Sequence, residues 1–193
     1  MANYFTNSHE VLDNKLNITD PVLFNIKEQS IVTKKSAIIL KEFPKVYNFD
    51  YLKHIHKVLF EDIYDFAGNT RTVNITKPDS NTPFAHFEYI GSGAERIFSI
   101  LKQQDYLANL KREDYAIKIA DLAADLNALH PFREGNGRSI RLFLIKISDH
   151  NGFILDYSQV SSKDLIQADK EAFEGNNDSL IKIYEKAILA TRN

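Results

Sequence analysis

Residues 130–141 of this 193-residue chain read His130-Pro131-Phe132-Arg133-Glu134-Gly135-Asn136-Gly137-Arg138-Ser139-Ile140-Arg141. The stretch joins two amphipathic segments, and its proline and first glycine predict a sharp turn between them. One helix is expected to end at His130, and the next is expected to begin near Gly137. The two glycines let backbone N–H groups approach an anion closely. Because a helix N-terminus favours negative charge, the segment predicts a phosphate-binding turn between two helices.

The charged side chains of the same segment suit chemistry on a phosphate. Arg138 and Arg141 are three residues apart in the first turn of the predicted helix, so both can bind phosphate on one side. Glu134 adds a carboxylate of the kind that holds Mg²⁺ beside phosphates. His130 is suited to proton transfer near neutral pH. Each of these residues alone is more often a cap, a turn or a solvated face, but together they predict phosphoryl or nucleotidyl transfer.

The rest of the chain predicts a helical domain. Seven glycines and five prolines are few for this length and favour long helices. The predicted helices are 20–40 (with Asp20 as cap and Pro21 first), 50–68 (capped by Asp50 and ended by Gly68), 88–104, 113–129, 137–149, 162–173 and 177–191. Residues from about 70 to 87 alternate and contain turn chemistry, which predicts a β-hairpin. We therefore expect a single all-α domain over residues 1–193 with one small hairpin.

Composition and charge exclude several classes of protein. The chain has no cysteine, which excludes a disulfide scaffold, a Cys-ligated metal site and a thiol nucleophile. The formal net charge of −2 argues against general nucleic-acid binding. Because the sequence shows neither a signal peptide nor a membrane span, we expect a cytoplasmic protein. His54 and His56 are expected on different faces of one helix, and we interpret them as surface or core-edge residues, not as a joint metal site.

Residues 130–141 resemble the signature of the Fic family, H-P-F-x-[D/E]-G-N-G-R-x-x-R, at every fixed position. The resemblance extends outward over most of the chain. Residues 66–71 resemble the family's [W/F]-A-G-x-x-R stretch, and residues 77–84 stand where the family has its target-aligning hairpin, the flap. Residues 12–16 resemble the opening of Fic proteins that pair with a separate antitoxin. The resemblance implies a Fic-type helical bundle with a β-hairpin flap.

The resemblance also implies an activity and a role for each matched residue. The activity is protein adenylyltransfer, in which AMP passes from ATP to a Ser, Thr or Tyr hydroxyl of a target protein. His130 would be the catalytic base, and Glu134 would hold Mg²⁺. The nucleotide phosphates would be bound by Gly135, Asn136, Gly137, Arg138 and Arg141. Lys77 and Phe84 on the flap would flank the target side chain.

Two alternative functions stay open at this point. Some members of the family transfer another phosphate-containing group by kinase-like or other nucleotidyl chemistry, although those that phosphorylate depart from the Gly-x-Gly-Arg pattern kept here. The other alternative is a non-catalytic interaction module that binds a nucleotide for regulation. The intact His130 argues against this alternative, because a domain without catalysis does not need the base.

An inhibitory motif is missing from the sequence. Many Fic proteins are inhibited by a helix with the pattern [S/T]-x-x-x-E-[G/N], whose glutamate pairs with the arginine at position 138. Here Glu174 is followed by glycine but has Lys170 at the Ser/Thr position, and Thr6 and Glu10 are followed by Val11. We therefore expect inhibition in trans by a small antitoxin that carries this helix, and we expect this chain to be the toxin of a bacterial toxin–antitoxin pair.

Overall fold

The computed structural model describes residues 11–76 and 83–191. Within these ranges the chain forms seven α-helices and two short strands, so the predicted helical class is confirmed, and the two strands lie outside the predicted hairpin. The helices are α1 (Pro21–Leu40), α2 (Phe49–Phe60), α3 (Ile90–Gln103), α4 (Arg112–Leu129), α5 (Asn136–His150), α6 (Ser162–Phe173) and α7 (Asp178–Ala187). None of these helices is both long enough and apolar enough to cross a membrane.

The core lies around α4 and α5. Helix α4 packs against α3, α5, α6 and α7, whereas α5 packs against α1, α2, α4 and the first strand. The apolar stripe predicted on α4 is buried along its whole length, as shown by Tyr115, Ile119, Leu122, Leu126 and Leu129. Since residues 130–135 join these two central helices, the predicted phosphate-binding turn is held between two helices of the core.

Local capping explains where the first helices begin. The Asp20 side chain accepts a hydrogen bond from the Leu23 backbone N–H at 2.7 Å, as predicted. Helix α2 is capped by Asn48, so the prediction that Asp50 caps it was wrong. Asp50 lies in the first turn instead, where its charge favours the positive end of the helix.

The predicted end of α2 at Gly68 was also wrong. The helix ends at Phe60, and the chain continues through turns. Ile63 and Tyr64 remain buried in these turns, so the apolar pattern continues after the helical hydrogen bonds have stopped. Gly68 occupies the left-handed region with φ of 82° near the end of this turn segment.

A two-stranded sheet closes the domain near its C-terminal end. Strand β1 (Phe153–Leu155) pairs antiparallel with β2 (Ile188–Thr191). The prediction of one helix over 177–191 was therefore wrong beyond Ala187. The backbone carbonyl of Ala187 accepts a hydrogen bond from the Asp156 N–H at 2.9 Å, and Ile188 is fully buried. Strand pairing and burial therefore end the helix at this point.

The predicted flap is described only at its two ends. Thr76 and Pro83 form an isolated antiparallel bridge, and the Phe84 N–H donates to the Ile75 carbonyl at 3.2 Å. Lys77 and the rest of residues 77–82 lie outside the described residues. The chain from residue 71 to 75 forms no strand, and the Arg71 N–H donates to the Pro131 carbonyl of the neighbouring turn at 2.9 Å.

Candidate active site

The turn after α4 is closed by the side chain of Asn136. Its amide oxygen accepts from the Phe132 N–H and its amide nitrogen donates to the Phe132 carbonyl, both at 2.8 Å. Both residues are buried. The side chain of Asn136 therefore fixes the shape of the turn, and only its backbone N–H is placed to bind an anion at the start of α5.

The N-terminus of α5 presents unpaired donors. The first bond of the helix runs from the Ser139 N–H to the Gly135 carbonyl at 3.1 Å, so the three N–H groups before it have no acceptor in this helix. Gly135 has φ of 78°, and a Cβ atom there would lie 2.3 Å from the Phe60 ring. Only glycine fits that position. A Cβ atom on Gly137 would lie 3.3 Å from Nη1 of Arg141, so this guanidinium lies beside the same turn.

His130 is held in the form that a general base requires. The residue caps α4 in the left-handed conformation, with φ of 44° and ψ of 62°. Its Nδ1 lies 3.2 Å from the backbone carbonyl of Asn127. Because a carbonyl oxygen can only accept, Nδ1 carries a proton, and in the neutral ring the lone pair is then on Nε2. The Asn127 side chain is in turn tied to Asp169 of α6 at 2.7 Å.

Phe84 brings the base of the flap onto the turn that begins at His130. Its ring stacks on the His130 imidazole with centroids 3.7 Å apart and an interplanar angle of 14°. A surface cavity of about 590 Å³ adjoins it. Residues from the flap, α3, α4 and α6 line this cavity, among them Pro83, Tyr89, Gly93, Leu129 and Phe173. The structure thus places Phe84 against His130, while its expected contact with a target side chain stays a prediction.

Arg71 fastens the flap to the same turn. Its guanidinium donates to the carbonyls of His130 and Val73 at 2.8 Å each, and also to the carbonyl of Ala85. Its backbone N–H donates to the Pro131 carbonyl at 2.9 Å. The residue is buried, and this burial lowers the pKa of its guanidinium. The positive charge of Arg133 lowers the pKa of Arg71 further, by a smaller amount. An arginine nonetheless stays charged, and the carbonyls at the C-terminus of α4 favour a cation there.

Arg138 lies between two carboxylates. Its Nη1 donates to Oε2 of Glu28 at 2.8 Å, and its Nη2 lies 3.3 Å from Oε1 of Glu134. The guanidinium carbon lies 4.7 Å above the ring of Phe60. Glu134 also accepts from the Gly135 N–H at 2.7 Å, and its side chain is about half exposed. The orientation of the Arg138 guanidinium is thus fixed by both carboxylates and by the Phe60 ring.

His56 supports the turn between α4 and α5, and its interpretation as a surface or core-edge residue was wrong. The ring is fully buried and stacks on Phe132 at 3.9 Å. The Gly68 N–H donates to Nδ1 at 2.8 Å, so Nε2 donates to the Glu134 carbonyl at 2.9 Å. Burial lowers the pKa of His56 to about 4, which keeps the ring neutral. His54 instead lies at the surface beside Glu42.

Glu28 and Tyr64 were not predicted from the sequence as part of the site. The Tyr64 hydroxyl donates to Glu28 at 2.7 Å, and both residues are buried. A signal was present in the sequence, since Glu28 stands on the buried stripe of α1 between Phe24 and Val32 at four-residue spacing. An acidic residue on an apolar helix face indicates a buried partner. The charged partner of Glu28 is Arg138, which is 110 positions away, so no local sequence pattern identifies it.

The carboxylate of Glu134 fits a Mg²⁺ ion that is shared with phosphates. It is exposed, negatively charged and next to the donor-rich start of α5. Among residues 11–76 and 83–191, no group of three or more His, Cys, Asp and Glu side chains could hold a metal by itself. A cation at Glu134 would therefore take its other ligands from phosphate oxygens and water, as Mg²⁺ commonly does.

Comparison with known proteins identifies close likenesses in sequence and in structure. The Fic/DOC family model matches residues 46–148, which include the whole turn. Protein adenylyltransferase VbhT of Bartonella schoenbuchensis is 38% identical over 72% of this chain, which spans 29% of that protein. "Probable protein adenylyltransferase Fic" of Salmonella typhimurium is 32% identical over 83% of this chain and 80% of its own. The structure of BepC from Bartonella tribocorum with bound AMPPNP superposes with a TM-score of 0.94, at 26% identity and 98% coverage of both chains.

Proposed function

Because this chain belongs to the Fic/DOC family, we propose that it is a protein adenylyltransferase, which transfers AMP from ATP to a hydroxyl side chain of a target protein. One observation carries the proposal. The hydrogen bond from His130 Nδ1 to the Asn127 carbonyl leaves the lone pair on Nε2, directly before a helix start lined with N–H groups and arginines. A base and a phosphate site therefore share one turn. The ATP analogue bound to BepC supports a nucleotide substrate.

The reaction needs a stronger nucleophile than a free hydroxyl. His130 Nε2 accepts the proton of the target Ser, Thr or Tyr as its oxygen attacks the α-phosphorus of ATP. The new P–O bond joins AMP to the target, and the bond between the α-phosphorus and the bridging oxygen breaks. Pyrophosphate leaves with that electron pair, and the proton stays on the imidazole until solvent removes it. The stack on Phe84 and the bond to Asn127 hold the ring in place.

The start of α5 binds the phosphates in this proposal. The backbone N–H groups of Asn136 and Gly137 face developing negative charge at the helix N-terminus. Arg138 offers its exposed edge to the distal phosphate, and Arg141 lies beside the same turn. These groups are preorganised by the rigid turn, and reactions at phosphorus depend mainly on such positioning and charge stabilisation.

Glu134 would hold Mg²⁺ in this proposal. When bound, the ion neutralises charge on the phosphates. The carboxylate is positioned through its bond with the Gly135 N–H, and its longer contact with Arg138 is the one it would give up. We expect excess EDTA to abolish transfer and added Mg²⁺ to restore it. Full activity in EDTA would remove this assignment.

The target is proposed to bind along the flap. A hairpin edge can pair with an extended target segment through main-chain hydrogen bonds, with little dependence on its sequence. Phe84 stands against the catalytic imidazole, and the cavity of about 590 Å³ beside it offers space for target side chains. Lys77 is proposed to flank the target from the other side of the flap.

Regulation is proposed to come from a second protein. An antitoxin helix with the pattern [S/T]-x-x-x-E-[G/N] would set its glutamate against the exposed edge of Arg138, and this chain would then be the toxin of the pair, acting in the cytoplasm. The purified chain alone is therefore expected to be active. Inhibition of the purified chain that truncation at either end relieves would refute regulation in trans.

Labelled ATP tests the proposed activity. The protein is incubated with a bacterial lysate, Mg²⁺ and ATP labelled on the α-phosphate, and separately with ATP labelled on the γ-phosphate. We expect protein bands labelled from the α position alone and no label with His130→Ala, because the base acts mainly in the transition state. Label from the γ position alone would establish a kinase instead.

A further inference from the structure

A buried acid on α1 contacts Arg138 beside the proposed phosphate site. Glu28 belongs to α1, outside the turn between α4 and α5, and it is 8% exposed. Its Oε2 accepts from Nη1 of Arg138 at 2.8 Å. An ionised carboxylate is costly to bury unless its oxygens are bonded, so such a pair persists only where its geometry is well supported.

That support comes from Tyr64. Its hydroxyl donates to Oε1 of Glu28 at 2.7 Å, so each carboxylate oxygen has its own donor. Burial and then the charge of Glu28 raise the pKa of Tyr64, which keeps the phenol protonated and able to donate. The phenol ring stacks on Phe66 at 4.6 Å. Glu28 is thus held in one position and cannot move away from Arg138 without breaking buried contacts.

The two edges of the Arg138 guanidinium are used differently. The bond from Nη1 to Glu28 lies in the partly buried interior, whereas the contact of Nη2 with Glu134 is exposed and longer, at 3.3 Å. A guanidinium fork can bind one acid at each edge. The Phe60 ring, 4.7 Å from the guanidinium carbon, supports its face. The buried edge is therefore anchored, and the exposed edge is directed toward the turn.

We infer that Glu28 is a positioning residue for Arg138, with Tyr64 as its support. It holds the buried edge of the guanidinium so that the exposed edge is already aimed at the distal phosphates of ATP. This inference rests on the proposed function, since it assigns Glu28 to the same nucleotide site. The contrary reading is competition, in which the carboxylate occupies Arg138 and weakens its hold on phosphate.

Nucleotide affinity distinguishes the two readings. Calorimetry with Mg²⁺ compares ATP, which reaches Arg138, with AMP, which has no distal phosphates. Glu28→Met keeps the length and suits the apolar stripe of α1, but removes the acceptor. We expect it to weaken ATP binding about tenfold, the effect of one charge-assisted hydrogen bond, with AMP binding unchanged. Glu28→Gln is expected to restore ATP binding to within about threefold of wild type, because its amide can bond both partners.

Two further variants complete the experiment. Tyr64→Phe keeps the ring and is expected to weaken ATP binding about threefold, which provides a measurement even where Glu28→Met does not fold. Glu61→Gln alters another carboxylate at the α1–α2 contact, the partner of Lys35, and is expected to leave both affinities unchanged. Equal losses for ATP and AMP would mean a merely structural role and would overturn the inference.

The remaining outcomes separate the inference from the proposed function. Tighter ATP binding in Glu28→Met or Glu28→Gln would show competition, and unchanged ATP binding in Glu28→Met and Tyr64→Phe would show no coupling, so either result overturns the inference. Labelling from α-labelled ATP is measured on wild type in parallel. Wild type that binds ATP but transfers no AMP to any protein would count against the proposed function, while the affinity ratios would still decide the role of Glu28.

Discussion

Arg71→Lys tests whether one buried cation connects the flap with the catalytic turn. The arginine is 3% exposed, and its guanidinium reaches carbonyls on three segments, those of Val73, Ala85 and His130. Lysine keeps the charge but donates from a single nitrogen, so it cannot span carbonyls that lie on different sides of the fork. The substitution therefore loosens the connection without removing the charge or creating a large cavity.

The expected loss follows from the bonds that lysine cannot make. At least two bonds are lost, and a hydrogen bond to a charged group contributes about 1.5–3 kcal/mol. We expect the free energy of unfolding to fall by about 3 kcal/mol, near the lower end of that sum, because the ammonium keeps its best acceptor. For a domain of this size, that corresponds to a fall in Tm of roughly 6–12 °C. Because the carbonyl of His130 is one of the acceptors, kcat is expected to fall about tenfold with ATP affinity kept.

The assay combines urea denaturation with AMP transfer, measured where both proteins are folded. Arg112→Lys is the matched control, since Arg112 also binds main-chain carbonyls, among them that of Ile188 at 2.8 Å, but far from the turn. We expect it to lower stability by about 1 kcal/mol and to leave kcat unchanged. A stability loss below about 1 kcal/mol for Arg71→Lys, together with wild-type kcat, would refute the connection.

Three other predictions follow from the same turn. The free energy of unfolding of the wild type should fall by about 3 kcal/mol between pH 6.5 and 4, because His56 has a folded pKa of about 4 and takes up a proton on unfolding. Urea titrations of His56→Gln should lack this part of the pH dependence. Gly135→Ala should cost several kcal/mol and activity, since its Cβ would meet an aromatic ring at 2.3 Å, whereas Gly152→Ala, at a similar φ of 79° but in open space, should cost only about 1 kcal/mol in the same unfolding assay. Phe84→Ala should lower kcat/KM for the target about tenfold without changing ATP affinity, since it removes the ring stacked on His130. Wild-type affinity for ATP and for the target, together with wild-type turnover, would contradict that role.

The sequence predicted those parts of the site that lie close together in the chain. The turn, the helix start after it and the two arginines at positions 138 and 141 depend on neighbouring residues, so glycines and charge spacing were enough to indicate them. The long-range contacts were not predictable in this way. The pairs of Glu28 with Arg138 and of His56 with Glu134 join α1 and α2 to the turn only after the helices have packed.

The errors in the helix assignments have the same physical origin. Apolar periodicity reports burial, and burial continued after α2 had ended at Phe60 and after α7 had ended at Ala187. At the second position, the chain forms β2 because β1 offers an unpaired edge, which is a property of the folded domain. The start of α2 had two possible caps, Asn48 and Asp50. Asn48 is the cap, because its side chain accepts a hydrogen bond from the Tyr51 N–H at 2.9 Å.

The fastening of the flap by Arg71 has a consequence for the evolution of new specificities. The guanidinium donates to the main-chain oxygens of Val73 and Ala85, so these bonds do not depend on the side chains at those positions. Both contact positions lie outside residues 77–82. Mutations in that six-residue interval, or its exchange for another, leave the attachment of His130 intact. If the flap binds the target as proposed, the segment that selects the target can change while the main-chain attachment of His130 stays the same, so the domain can acquire new target proteins without rebuilding its catalytic geometry.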